Sequence, residues 1–425
     1  MSAFAVIIIS LFSLRLFVLR LNSFGNASII NYQLFQLVMA ILYLGVGVIL
    51  RSVGVNFYGV ESLGFVQLPK YNALIDAYSI YFIFVFYMFY VLDKKRVSTE
   101  KIIDNFMLIK SKWLLKSLKA LALSVGFVGV LLLMVYLKDY PRGVAREALF
   151  AYSAAFSSAH GVGYLFYFCL AFSFYISMTT KKKRYFLLPL PLMLIELSSG
   201  GRIYLVQYVL FIFVSHLIMS RKPIPLKLPV LLLSFILSVG LIRGLGSDFD
   251  SIFSIVVYTF GEFINTADSI YIALDSDYSY DLASYLAYSL SRTLPSVFSN
   301  TFLNLEFTPL VNIIDSLKYN YLPSDFNVGL GGSILADAIF ISKDAPFFMY
   351  LYPIIMGVGG VVINYLLRQG YSPFVYLFIF SIGNLFLIFR YGFFPNVLHS
   401  VSNVLFFGYI FILMSIYAKR DSNGQ

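Results

Sequence analysis

The sequence predicts an all-α polytopic integral membrane protein of about eleven transmembrane helices with one large loop outside the bilayer. Three observations predict it. Hydrophobic residues make up 60% of the chain against 12% charged, with a mean hydropathy of +0.83, so its solvent must largely be lipid. Apolar runs long enough to cross ~30 Å of hydrocarbon recur along the chain, joined by short connectors. One stretch, 246–346, interrupts that rhythm and carries 12 of the 21 acids, against only Arg292, Lys318 and Lys343 as bases. The spans offer no solvent, so this acid-bearing, turn-rich stretch is where water-dependent chemistry or recognition belongs.

The first run, Met1 to Leu21, has no charge before its apolar core, Arg15 and Arg20 at its far end and no small-x-small cleavage site after it; it reads as a retained span. Runs then fall near 3–20, 33–50, 73–92, 118–137, 157–178, 186–199, 203–219, 228–245, 347–367, 373–389 and 401–418. The run at 186–199 is short, begins Leu188-Pro189-Leu190-Pro191 and turns back at Ser198-Ser199-Gly200-Gly201, as a kinked helix or half of a hairpin does. These runs divide the chain into an N-terminal transmembrane bundle over 1–245, the loop with amphipathic helices over 246–346, and a C-terminal transmembrane bundle over 347–425.

A formal charge of +10 would suggest nucleic acid in a soluble protein, but here the excess bases lie in the connectors. Lys94 to Lys119, Lys181 to Arg184 and Arg221 to Lys227 fill three of them. With Arg15, Arg20, Arg368, Lys419 and Arg420 they place 20 of the 31 bases on one side. The positive-inside rule makes that side cytoplasmic, with the N-terminus outside, the C-terminus inside and the 246–346 loop outside. Cys169 is the one cysteine, within an apolar run, so no intrachain disulfide can form.

The outer face keeps its own arginines against this bias. Arg142 and Arg146 follow one span, Arg202 sits at the tip of the Ser-Ser-Gly-Gly-Arg turn, Arg243 ends the span before the loop, Arg292 lies within it, and Arg390 opens the connector to His399. Each fits a headgroup anchor or a partner for a loop acid. Together, Arg202, Arg243, Arg292 and Arg390 also fit the grip of a diphosphate, because a guanidinium is always charged and bonds two oxygens at once. Gly200-Gly201 leaves amides free at the start of the next helix, and Glu196, inside an apolar run, needs a partner such as Arg202 or Arg243.

Within the loop, Ser251 to Ala273 has polar residues at three-to-four spacing, a helix with one apolar face, which puts Glu262, Asn265 and Asp268 on one stripe. An acid there is either a general base, Glu262 or Asp268, or part of a solvated face. Asn300 to Pro309 and Tyr319 to Phe326 mix turn formers, aromatics and amides, a composition suited to sugar rings and equally to loop packing. His160, His216 and His399 are too far apart in sequence for a helical ligand pair; His399, on the outer face, is a candidate base or phosphate donor. Gly329-Leu-Gly331-Gly332 lacks the lysine of a nucleotide loop.

Many spans, a Ser-Gly-Gly-Arg turn, one large late outer loop, Arg-x-x-Pro at Arg292 to Pro295 and Asn327-Val-Gly-Leu-Gly-Gly-Ser-Ile-Leu-Ala-Asp337 together resemble bacterial Wzy-type O-antigen polymerases. The likeness covers the whole layout through diffuse motifs, and Asp337 stands where Glu is the expected residue. The resemblance implies a GT-C-like membrane glycosyltransferase in the bacterial inner membrane, inverting, with neither metal nor nucleotide. Its donor and acceptor would be undecaprenyl-diphosphate-linked oligosaccharides, joined at the periplasmic face, and a chain-length-regulating co-polymerase would be its partner. Arg202, Arg243, Arg292 and Arg390 would hold the diphosphate, and Glu262, Asp268 or His399 would act as base. Two rivals share features of this reading: a lipid-linked glycan ligase of the same fold, and a polysaccharide flippase or secondary transporter, which needs charge at mid-membrane and matching broken helices.

Overall fold

An apolar run in lipid must satisfy its own backbone polar groups, and the described runs of this chain do so as helices. The computed structural model describes residues 2–52, 69–107, 112–141, 146–198, 202–220, 266, 269–291, 316–317 and 332–391, and no strand occurs among them. Among the described residues, six helices are long and apolar enough to cross a membrane: Ala3–Phe24, Tyr32–Ile49, Tyr71–Leu92, Leu115–Lys138, Val162–Thr180 and Phe348–Gln369. Tyr204–Met219 and Phe374–Arg390 are shorter apolar helices. The chain is thus a multi-pass α-helical membrane protein. Of the expected spans, 228–245 and 401–418 lie outside the described residues, and 186–199 becomes a 3-10 turn, Lys183–Leu187, followed by a helix of nine residues.

The chain forms two compact units. The first comprises Met1–Lys95, Ile224–Asn364 and Leu385–Ser402; the second comprises Arg96–Pro223, Tyr365–Asn384 and Asn403–Gln425.

In the first unit, α1 (Ser2–Phe24), α2 (Tyr32–Ala40), α3 (Val46–Ser52) and α4 (Pro69–Leu92) pack together, with a π turn over Ile41–Gly45 joining α2 to α3. Polar groups set the level of these helices at one end. Asn31 caps α2 by accepting from Leu34 N at 3.0 Å, and its amide donates to Asp93 Oδ2 at 3.0 Å, just past α4. Arg20 donates to the carbonyls of Tyr90 at 2.6 Å and Val91 at 3.3 Å, with its guanidinium 4.2 Å from the Tyr90 ring centroid. Carbonyls in the last turn of a helix have no intrahelical partner and carry the negative end of its dipole, so they attract this cation.

Residues 269–275 form a helical turn, followed by α11 (Leu282–Ser291), α12 (Ile334–Ser342) and α13 (Phe348–Gln369), numbered after the helices of the second unit. Asn364 of α13 joins the Asn31 cluster, donating to Asp93 Oδ2 at 2.7 Å and accepting from Tyr32 N at 2.7 Å. The connector after α4, the start of α2 and the distal part of α13 therefore share one end. At the other end, the Tyr271 hydroxyl donates to Asn72, at the start of α4. Tyr271, from the acid-rich stretch, thus lies at the end of this unit remote from Lys94 and Lys95.

The second unit holds α5 (Thr99–Met107), α6 (Lys112–Lys138), α7 (Arg146–His160), α8 (Val162–Thr180), α9 (Leu190–Ser198) and α10 (Arg202–Met219). It also takes in α14 (Ser372–Tyr391) as far as Asn384. A single residue, Gly161 at φ 59°, turns the chain from α7 into α8, a conformation that costs glycine little. Tyr208 of α10 donates to Phe186 O at 2.6 Å, and Lys183 contacts His216 near the end of α10. Arg202, at the start of α10, is therefore remote from the Lys181 to Arg184 connector.

Candidate functional site

Helix α12, Ile-Leu-Ala-Asp-Ala-Ile-Phe-Ile-Ser, is apolar on every side from Ile334 to Ile341 except at Asp337, and those residues are all buried. A helix apolar on every side belongs in an interior, and nine residues are too few to cross a bilayer. Ser333 starts it, its hydroxyl accepting from Leu335 N at 3.2 Å. After Ser342 the chain reverses through an exposed turn at Lys343 and Asp344 and enters α13, where Tyr352 lies one turn in. This reversal brings Asp337 and Tyr352 to the same hydroxyl. Tyr285 of α11 donates to Asp337 Oδ2 at 2.8 Å and lies 3.3 Å, hydroxyl to hydroxyl, from Tyr352.

Burial pushes the Asp337 carboxyl up to about 8, while the hydroxyls of Tyr285 and Tyr352 act in the opposite direction by bonding to its charged form. The same burial, with the carboxylate beside it, raises Tyr285 well above the ordinary tyrosine value. Asp337 is 2% exposed, so it is held in a nearly dry site in which two tyrosines supply its polar contacts. Phe340 braces the outer edge: its carbonyl accepts from Tyr280 N at 3.1 Å, and its ring meets that of Tyr278 edge-on at 5.7 Å. Lys343 donates to the Ser276 carbonyl and lies 5.3 Å from the Phe340 ring centroid, so a charged clamp ties loop to helix. A carboxyl titrating near neutrality and flanked by hydroxyl donors can take up or return a proton at working pH.

The second unit has its own buried carboxylate. Glu196, in the last turn of α9, is 4% exposed and accepts from the Ser157 hydroxyl of α7. Gly163 makes room for it: a Cβ there would lie 2.7 Å from the Tyr204 hydroxyl and 3.2 Å from Glu196 Oε1. Deeper along α10, Gln207 donates to Asn384 of α14. Glu196 thus finds a hydroxyl partner that the sequence did not suggest, and the side chains of Arg202 and Arg243, its expected partners, lie outside the described residues.

Of the residues picked out from the sequence, Arg390 lies in the last turn of α14 in the first unit, half-buried, and Arg202 is the first residue of α10 in the second. The last turn of a helix is favourable for a cation, whereas the first turn presents unpaired amides that favour an anion. Glu262, Asp268, Arg243, Arg292 and His399 lie outside the described residues. So does the rest of the expected amphipathic helix over Ser251 to Ala273, apart from Thr266 and residues 269–273, which are helical. Tyr285 and Tyr352 were missed because a tyrosine in an apolar, aromatic-rich stretch carries no sign of its partner. Asp337 had a signal, since it is the one charged residue in an apolar stretch. No family model, no curated protein and no solved structure matches this chain, whose architecture is that of a multi-pass α-helical membrane protein.

Proposed function

We propose that this chain is an inverting membrane glycosyltransferase that polymerises a surface glycan of the O-antigen type. It moves the growing glycan from undecaprenyl diphosphate onto a new lipid-linked repeat unit at the periplasmic face of a bacterial inner membrane. The observation that supports the reading is Asp337. A carboxyl kept in an apolar interior works against stability, and a group whose proton affinity is shifted to neutrality in this way is more characteristic of a functional site than of a scaffold. In the reaction the acceptor hydroxyl oxygen attacks the anomeric carbon, the bond to the diphosphate breaks, and the diphosphate leaves with the electron pair. The hydroxyl proton passes to a base. Asp337 joins Glu262, Asp268 and His399 as a candidate for that base, and Arg202, Arg243, Arg292 and Arg390 are the candidates for holding the leaving diphosphate.

The test is a glycan ladder from cells lacking the gene and complemented with wild type or with Arg202→Ala, Arg243→Ala, Arg292→Ala, Arg390→Ala or Asp337→Asn. Long chains are expected to disappear in the variants while the protein level in the membrane is retained. Lysine is not expected to rescue an arginine that grips the diphosphate with two bonds. Chain-length distributions unchanged in all of them overturn the proposal.

A second reading has its own observation. Glu196, Gln207 and Asn384 are buried polar groups along helices of the second unit, as a proton-coupled transporter requires. Lipid-linked repeat units that accumulate untransferred on the periplasmic side in cells without the gene favour polymerase; units that accumulate on the cytoplasmic side favour the transporter.

A further inference from the structure

Helix α1 is an unusual span. Only 11% of its most apolar 18 residues are buried, against 67% for those of Val162–Thr180 in α8, so the rest of the chain leaves its outward face uncovered. Leu11 is 60% exposed, Leu14 58% and Leu19 54%, and among them Arg15 is also exposed. A guanidinium on an apolar, lipid-facing stripe is costly unless it reaches an anion. Arg20, five residues on, is already engaged by the Tyr90 and Val91 carbonyls at the end of α4. That bond marks the level of the helix ends. Arg15 is about 7.5 Å deeper along α1 and turned about 140° away from Arg20. An arginine side chain is long enough to reach back over that depth to the same end while its stem stays in hydrocarbon. Lys94 and Lys95, just past α4 at that end, are exposed.

We propose that Arg15 forms a binding site on α1 for the phosphate headgroup of an anionic phospholipid in the leaflet at the basic end. The chemistry argues against a second copy of this chain as the occupant. A two-fold pairing of α1 with itself sets Arg15 against Arg15, and α1 carries no acid to offset them. A phosphate diester supplies the missing charge, and an acyl chain covers the leucines around the arginine. This site is independent of any glycan chemistry.

The experiment reconstitutes the full chain in nanodiscs of phosphatidylcholine with phosphatidylglycerol as the minor component. Lipids retained after extraction are counted by native mass spectrometry. Wild type is expected to hold phosphatidylglycerol above its share of the bilayer, with Arg15 accounting for about a fivefold part of the enrichment and the other bases at that end for the rest. Arg15→Leu makes the span more apolar and leaves insertion intact; it is expected to hold about fivefold less phosphatidylglycerol than wild type, with Arg15→Lys between. No enrichment in wild type overturns the proposal, as does enrichment that Arg15→Leu leaves unchanged. A Leu19→Cys variant that cross-links to a second polypeptide in native membranes overturns it in favour of a protein partner.

Discussion

The Tyr285 hydroxyl donates to Asp337 Oδ2 across 2.8 Å, beside a buried helix whose other inward side chains are apolar. Asp337 takes part in this bond from a helix of nine residues, and Tyr352 completes the group from the next helix. The arrangement has consequences that can be measured without knowing the substrate.

The first is a pH dependence. The Asp337 carboxyl is raised from 3.8 to about 8 by burial, so between those values the folded chain holds a proton that the unfolded chain has released. Stability contributed by this group is therefore greatest at acid pH, falls as pH rises through that window and levels off above it. Melting temperatures in detergent at pH 5, 6.5 and 8 are expected to fall more steeply for wild type than for Asp337→Asn. Parallel curves for the two proteins would refute the assignment.

Tyr285→Phe removes a donor to the charged form of Asp337. The variant is expected to lose about 1–3 kcal/mol of stability above neutrality and less at acid pH. The midpoint of its pH dependence moves upward, because the lost hydroxyl had favoured the carboxylate. A double-mutant cycle of Tyr285→Phe with Asp337→Asn, read by melting, is expected to show coupling; additive losses mean that the hydroxyl and the carboxyl do not interact.

The cluster of Asn31, Asp93 and Asn364 joins α2, the end of α4 and α13. Asp93→Ala leaves two buried amide donors without their shared acceptor, at a cost of about 1–3 kcal/mol each if both remain unmet. Asp93→Asn keeps an oxygen in place and is expected to lose less. Equal melting temperatures for the alanine and asparagine variants would show that water replaces the carboxylate at no cost.

Gly163 admits no side chain beside Tyr204. Gly163→Ala is expected to cost about 1–3 kcal/mol by overpacking. Adding Tyr204→Phe removes the atom that the new methyl group meets, so the double variant should recover much of that loss, as coupled neighbours do. A double variant less stable than the sum of the single losses would place the tyrosine elsewhere.

The long spans were legible because a bilayer makes one demand on every residue it touches, and a run such as 73–92 meets that demand whatever surrounds it. The π turn at Ile41–Gly45 and the nine-residue helices α9 and α12 were not legible as such. Their sequences are as apolar as spans, and neither length nor period separates a short buried helix from part of a long one. At the site, the sequence marked Glu196 as an acid in need of a partner and set Asp337 within a motif, but supplied neither Ser157 nor Tyr285.

Composition and the placement of charge determined, without coordinates, that this chain lives in lipid, that its bases gather in alternate connectors and that its acids gather in one loop. Each of these depends on what a residue does in water or hydrocarbon, which is a property of the residue alone. Which hydroxyl reaches Asp337, which amides share Asp93 and why Gly163 has no side chain were decided only by the tertiary structure. These are distances of about 3 Å between residues far apart in the chain, and no local rule of propensity or periodicity reaches across that separation.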